Sequence, residues 1–427
     1  MQIHVIRSGD SLWNLSRAYN TTVEAISSAN ELNETSGLVI GQALVIPIIG
    51  SYYWVAPGDN LYIISQRVNV PVNVLAQINN IQNPSQLQTG MRLYIPPKNK
   101  PTKEIAAYVN LETSRENASA QISEVANQLT YANIFSYNVN LDASLTPPVN
   151  ADKAVEAAIN NNVAPLMVIA NIEEGGFSEE LITVILSSES LQNTLFNNAL
   201  TIMEEQGYRG IDFDFEFLGK ANREKYNIFI QRAVDFFRPK GYLVSSALAP
   251  KLSTEQIGTL YEGHDYAAHG QILDFVFLMT YEWGWSGGPP MAVAPINEVR
   301  KVMEYAITQM PRNKIMMGIP LYGYDWTLPY VSGGQFAKVV SPQRAIELAN
   351  QYGATIQYDY TAQAPFFHYY DAEGKQHIVW FEDARSIQAK FNLVKNLGIR
   401  GFFYWSLGPD FPQNWLLIED NFTVVKK

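Results

Sequence analysis

Asp212, Asp214 and Glu216 stand at i, i+2 and i+4 of the run Gly210-Ile211-Asp212-Phe213-Asp214-Phe215-Glu216-Phe217, with a bulky apolar residue at every position between them. Period-two alternation is the pattern of a β-strand whose two faces differ. Ile211, Phe213, Phe215 and Phe217 are expected to pack beneath a layer of helices, leaving the acids to share one space. Like charges crowded together raise the pKa of at least one carboxyl, which sets a proton donor beside an anion, as acid catalysis requires. No Lys or Arg follows before Lys220. Ion pairing inside the run therefore does not account for three carboxylates whose unpaired burial is expensive.

Other chemistries find little support. There is no His-Glu-x-x-His pair, and the spacing of His264 and His269 is poor for two ligands on one helix face. Cysteine is absent, which excludes disulfides and thiolate metal sites. No phosphate-binding glycine loop or Gly-x-Ser-x-Gly elbow is present, and Gly333-Gly334 reads as a turn. An enzyme without metal or cofactor is expected. A net charge of −11 over 427 residues argues against a nucleic-acid or anionic-membrane partner, since both need clustered Lys and Arg. No uncharged apolar run approaches the ~18 residues of a membrane span.

The elements that must carry the acids follow a linker, Pro96-Pro97-Lys98-Asn99-Lys100-Pro101, whose prolines make it stiff. Beyond it, apolar strands are expected at 105–109, 133–137, 165–170, 210–217, 243–249, 275–281, 315–321 and 401–406. Helical patterns such as 118–129, 151–160, 223–237 and 296–309 separate them. Eight β-then-α units predict an α/β fold, a (β/α)8 TIM barrel spanning 104–427. The long interval between strands seven and eight holds a small α+β insertion, placed at 326–383. In such a barrel the site gathers at the C-terminal ends of the strands. Met279, Tyr281 and Glu282, Tyr322, and Trp405 end strands six, seven and eight and are expected to meet the acids there.

Ahead of the linker lies a repeat at a constant offset of 49 residues, in which Gly9-Asp10-Ser11-Leu12 matches Gly58-Asp59-Asn60-Leu61, Asn30 matches Asn79, and Gly41, Ile46 and Pro47 match Gly90, Ile95 and Pro96. Each copy reads as βααβ, giving units at 1–49 and 50–97 before the linker at 98–103.

These features resemble two known families. The repeats are similar to LysM modules, small binders of N-acetylglucosamine-containing glycans. That likeness implies sugar contact by Gly9, Asp10, Ser11, Leu12 and Asn30, and by Gly58, Asp59, Asn60, Leu61 and Asn79. Asp-x-Asp-x-Glu on strand four, Met-x-Tyr on strand six and Trp on strand eight resemble glycoside hydrolase family 18. This resemblance implies that Glu216 is the general acid and that Asp214 orients the substrate's 2-acetamido group. Asp212 supports Asp214, Tyr281 bonds the acetamido carbonyl, and Trp405 floors the sugar site. Met279, Glu282 and Tyr322 complete the substrate contacts. The implied reaction is retaining and substrate-assisted. Two departures stand out: Arg209 occupies the first Asp position of the usual motif, and Glu282 replaces the Asp that commonly follows Met-x-Tyr.

LysM pairs ahead of a family 18 barrel resemble spore peptidoglycan N-acetylglucosaminidases of endospore-forming bacteria. That implies cortex fragments or another N-acetylglucosamine polymer as partner and a spore location in the coat or cortex region. The start, Met1-Gln2-Ile3-His4-Val5-Ile6-Arg7, shows no secretory signal pattern. A chitinase and a catalytically inactive glycan-binding coat protein remain alternatives. Targeting by the modules implies that removing 1–97 weakens binding to insoluble wall yet leaves cleavage of soluble fragments largely intact.

Overall fold

The structure is a computed structural model and describes residues 1–32, 37–83 and 87–427. Eight parallel strands close into a barrel: Thr102–Asn110, Tyr131–Val139, Ala164–Ala170, Gly210–Asp214, Leu243–Leu248, Phe275–Leu278, Ile315–Pro320 and Gly401–Trp405. Closure comes from the pairing of the first strand with both the second and the eighth. Helices including Ala151–Asn160, Arg223–Phe237, Ile296–Gln309 and Ala384–Leu397 cover the outside. Each turns an apolar stripe inward; Tyr226, Phe229, Ile230, Ala233, Val234 and Phe237 are the buried face of Arg223–Phe237.

Strand four is shorter than the alternation predicts. It ends at Asp214, opposite Ala170, the last residue of strand three. Strand five pairs with it only as far as Phe213. Past Asp214 the ladder continues with neither neighbour, although strand five itself runs on to Leu248. Phe213 and Phe215 are fully buried as expected, but Phe217 is not beneath the helices: it takes a left-handed φ of 53° and is 41% exposed. Strand six likewise ends at Leu278, leaving Met279 to Tyr281 as a turn on the rim.

The insertion between strands seven and eight is a five-stranded antiparallel sheet with the helix Pro342–Gln351. Its first strand, Gly323–Thr327, begins before residue 326, so the expected boundary is too late. Here the chain passes from the barrel straight into the new sheet, and Gly323 allows it to do so closely: a Cβ at that position would lie 2.2 Å from the Trp380 carbonyl oxygen.

Each N-terminal unit is a βααβ fold with an antiparallel strand pair, Gln2–Val5 with Ala43–Ile46 and Ser51–Trp54 with Arg92–Ile95. The two differ in their surroundings. The second has its own closed cluster around Ile64, Leu75 and Leu93. The first has a cluster around Leu15, Ile26 and Leu44 as well, but its other apolar residues join the rest of the chain: Ala43 and Val45 belong to the barrel's core, and Val39 packs into the insertion's. Gly41 adopts φ 86°, and a Cβ there would meet the Ile356 carbonyl oxygen at 1.9 Å. The Ile356 N–H donates to the Ile40 carbonyl at 2.9 Å, and Arg385 Nη2 donates to the Gly41 carbonyl at 3.1 Å. The first unit is therefore part of the catalytic body.

Candidate active site

A cavity of about 270 Å³ opens at the C-terminal mouth of the barrel, lined by Asp214, Glu216, Met279, Tyr281, Glu282, Trp283 and Trp405 among others. Period-two geometry aims the three acids the same way, and depth along the strand separates their surroundings. Asp212 is fully buried below the cavity. Its Oδ2 accepts from the Tyr108 hydroxyl at 2.6 Å and its Oδ1 from Ser245 at 2.7 Å. Burial pushes its pKa up to about 6 against the opposing pull of those hydrogen bonds.

Asp214 is 3% exposed, and its Oδ1 is buried without a hydrogen-bond partner. Burial, then the neighbouring charges of Glu216 and Asp212, raise its pKa well above the carboxylate range. Glu216 is partly exposed where it faces the cavity, and desolvation by the surrounding walls raises its pKa to about 7. At neutral pH the three acids cannot all ionise. A proton is thus held beside the open space.

Two residues outside the motif hold the backbone of Glu216 in place of the missing ladder. Asn171, buried at the end of strand three, donates from Nδ2 to the Glu216 carbonyl and accepts the Glu216 N–H at Oδ1, both at 3.0 Å. His264 accepts the Ala249 N–H at Nδ1, which leaves Nε2 to donate to the Phe215 carbonyl at 2.9 Å. Burial lowers the His264 pKa to about 4 and that of His269 to about 3, so both rings are neutral at physiological pH. Sequence reasoning treated the two histidines only as poor metal ligands and did not single out Asn171. The available signal was its position: a polar residue directly after the apolar run of a barrel strand.

The other expected residues converge as follows. Tyr281 lines the cavity and is nearly buried; Gly318 makes room for it, since a Cβ there would touch Tyr281 Cε1 at 2.8 Å. Trp405 is braced by Phe135, ring centroids 4.9 Å apart, and by Tyr108 at 5.6 Å. Met279 lines the wall. Glu282, in a left-handed turn of φ 67°, accepts hydrogen bonds from Tyr322 and, at 2.9 Å, from Tyr324. Burial raises its pKa. Tyr322 thus acts on Glu282, and Tyr324 joins it. Among the described residues, no group of three or more His, Asp or Glu could hold a metal ion, and no helix is long and apolar enough to cross a membrane.

In the N-terminal units the expected sugar-contacting side chains are largely committed to the fold. Ser11 and Asn60 cap helices through the N–H groups of Asn14 and Ile63. Asp10 accepts from the Arg7 N–H and pairs with His4, and Asp59 accepts from Tyr53, Ala56 and Arg67. Asn30 is fully buried, its amide clamped on Ile26 and Val45, and Asn79 is held the same way on Leu75 and Tyr94. Leu61 is buried and Leu12 partly so. Gly9 and Gly58 leave exposed backbone at φ 90° and 84°. The accessible aromatic faces beside these loops are Trp13 and Tyr62, equivalent positions that are 64% and 66% exposed.

Comparison with known proteins agrees with this geometry. Residues 104–410 match the profile of Glycosyl hydrolases family 18, and residues 4–47 and 53–96 each match the LysM domain. The cortical fragment-lytic enzyme of Bacillus subtilis (strain 168) is 54% identical over 430 residues, covering 100% of this chain and 99% of that protein. The cortical fragment-lytic enzyme of Bacillus anthracis is 50% identical, with full coverage of both. The crystal structure of the Bacillus megaterium QM B1551 spore cortex-lytic enzyme SleL superposes with a TM-score of 0.90 at 48% identity, covering 100% of this chain and 99% of that one. The chain belongs to family 18 of the glycosyl hydrolases, as a glycosidase with two LysM domains ahead of its barrel.

Proposed function

We propose that this enzyme hydrolyses β-1,4 glycosidic bonds after N-acetylglucosamine in spore cortex peptidoglycan, with retention of configuration and with the substrate's own acetamido oxygen as nucleophile. The observation that carries the reading is the pair of Asp214 and Glu216 on one cavity, both pKa values raised and one Asp214 oxygen unpartnered. Glu216 gives its proton to the glycosidic oxygen as the bond breaks. Asp214, beside it, orients the acetamido group and stabilises the positive charge that develops there, while Asp212 raises its proton affinity from below. Tyr281 donates to the acetamido carbonyl, and Trp405 offers its face to the sugar ring. Water then opens the oxazolinium intermediate with Glu216 as base.

This chemistry needs a free acetamido group on the sugar whose bond is cut. Muramic δ-lactam has its nitrogen tied into a ring and cannot supply one, so cleavage falls after N-acetylglucosamine. The cortex as substrate is supported by full-length relatives named as cortical fragment-lytic enzymes, and the same likeness supports a spore location. The test is parallel digestion of purified cortex fragments and chitin oligomers, with mass spectrometry of the products and NMR of the first-formed anomer. New N-acetylglucosamine reducing ends in the β configuration are expected from cortex. Muramic reducing ends, or turnover of chitin alone, overturn the reading.

A further inference from the structure

Behind Trp405 the catalytic cavity does not end. A second cavity of about 540 Å³ shares Trp405 and Glu282 with it and runs between Tyr322 and Tyr324 on one side and Ser114 and Gln121 on the other. Two polar atoms there have no partner: Ser114 Oγ, on a side chain only 5% exposed, and Gln121 Oε1. A buried acceptor left unpaired in a native fold calls for an explanation, and a ligand carrying hydroxyl and amide N–H groups supplies one. Aromatic faces opposite polar atoms suit a pyranose, which has apolar faces and a polar rim.

The second cavity leads on. Gln121, Leu407, Gly408 and Pro409 line both it and a narrow third cavity of about 60 Å³, whose far wall includes Glu31 of the first LysM unit. At the neck, Gly408 has φ 128°, and a Cβ there would approach Gln121 Nε2 at 3.2 Å, so the passage owes its width to that glycine. Because the first unit shares core residues with the barrel and insertion, Glu31 sits at a set position relative to Glu216.

We propose that one glycan strand occupies this whole path, passing from the catalytic cavity behind Trp405 and over the loop after strand eight to the Glu31 edge of the first LysM unit. That unit is then the far end of the substrate groove. The proposal rests on the catalytic cavity taking an N-acetylglucosamine polymer. Glu31, Glu124 and Asp410 make the neck acidic; partial burial first, then the charges of Asp410 and Glu124, raise the Glu31 pKa. Like-charge repulsion disfavours a carboxylate at this point, so the segment crossing the neck is an uncharged stretch of amino sugar.

The test uses the full chain and N-acetylglucosamine oligomers of increasing length. Affinity is measured on the Glu216→Gln chain by calorimetry, and kcat/KM on the active chain. Both should rise with length until the oligomer spans the groove. In Ser114→Ala, and in Glu31→Trp, which crowds the neck from the exposed side, the long-to-short ratio of affinity should fall about 3- to 10-fold, the worth of one or two ordinary hydrogen bonds. Ratios equal to the parent chain in both variants, or affinity independent of length, overturn the proposal. Length-dependent binding that both variants weaken supports it even where these oligomers are not turned over; failure of the catalytic reading is seen separately, in cortex fragments that yield no new N-acetylglucosamine reducing ends.

Discussion

The side-chain amide of Asn171 meets the backbone of Glu216 at both its N–H and its carbonyl, each at 3.0 Å. An amide side chain thereby stands in for the ladder, which ends two residues earlier at Asp214. In the proposed reaction the carboxyl carried by this backbone meets the glycosidic oxygen, and small misplacements of catalytic groups are costly. Asn171→Asp keeps the acceptor for the Glu216 N–H but loses the donor to its carbonyl. We expect kcat to fall by about 10- to 100-fold with KM little changed, measured by steady-state kinetics on soluble fragments. A rise in KM alone would assign Asn171 to substrate binding.

Glu216 makes a separate prediction in pH. As the proposed general acid its carboxyl must be protonated, and its pKa is raised to about 7. Therefore kcat/KM should decline above about pH 7, with an apparent value belonging to the Asp214–Glu216 pair. A decline setting in near pH 4.5 would contradict the assignment. Stability follows from the same shift. The folded state binds this proton more tightly than the unfolded chain, whose value is near 4.5. The group therefore costs nothing below about pH 4.5, and its penalty grows as pH rises to about 7 and stays in full above that. Glu216→Gln should cut turnover by about 10²- to 10⁴-fold and raise Tm relative to the parent chain at pH 8. The gain should shrink toward pH 4.5 when followed by thermal unfolding.

Gly41 and Gly90 allow the docking of the first LysM unit to be weighed against a built-in control. They occupy the same position in the two repeats and have nearly the same φ, 86° and 85°. A Cβ at Gly90 meets nothing within 4 Å, whereas one at Gly41 falls 1.9 Å from the Ile356 carbonyl oxygen. Alanine at either site bears the left-handed penalty of roughly 1–2 kcal/mol. Only Gly41→Ala must also push the unit off the insertion, so it should lower Tm distinctly more than Gly90→Ala. Equal losses would mean that the interface contributes little. By the same logic, removing residues 1–97 uncovers the partners of Val39, Ala43 and Val45. The truncated chain should therefore lose Tm as well as wall binding, and soluble cleavage largely intact at an unchanged Tm would show that these contacts contribute little.

Much of this architecture is readable from local pattern. The helices Ala151–Asn160, Arg223–Phe237 and Ile296–Gln309 fall where the apolar period places them. The βααβ repeats and the acid alternation likewise require only neighbours in sequence. The expected ends of strands four and six run past the observed ones because a ladder stops where its pairing stops, and Ala170, the last partner of Asp214 on strand three, is far from it along the chain. The clamp from Asn171 and the tether from His264 act through backbone atoms of other segments, which residue types do not advertise. Docking of the first repeat was invisible for a plainer reason: Gly41 and Gly90 sit in matching sequence and differ only in what lies across from them.

The antiparallel pairing of Ser51 with Ile95 brings the entry and exit of the second LysM unit side by side, and Gly50 and Pro96 border the same surface hollow. A segment whose two ends already touch, and whose interior closes on itself, can be spliced out at the cost only of its contacts with the first unit: Gln2 on the Tyr52 backbone, Arg92 on the Ala18 carbonyl and Trp54 against Tyr19. Its twin, welded to the barrel, has no such freedom.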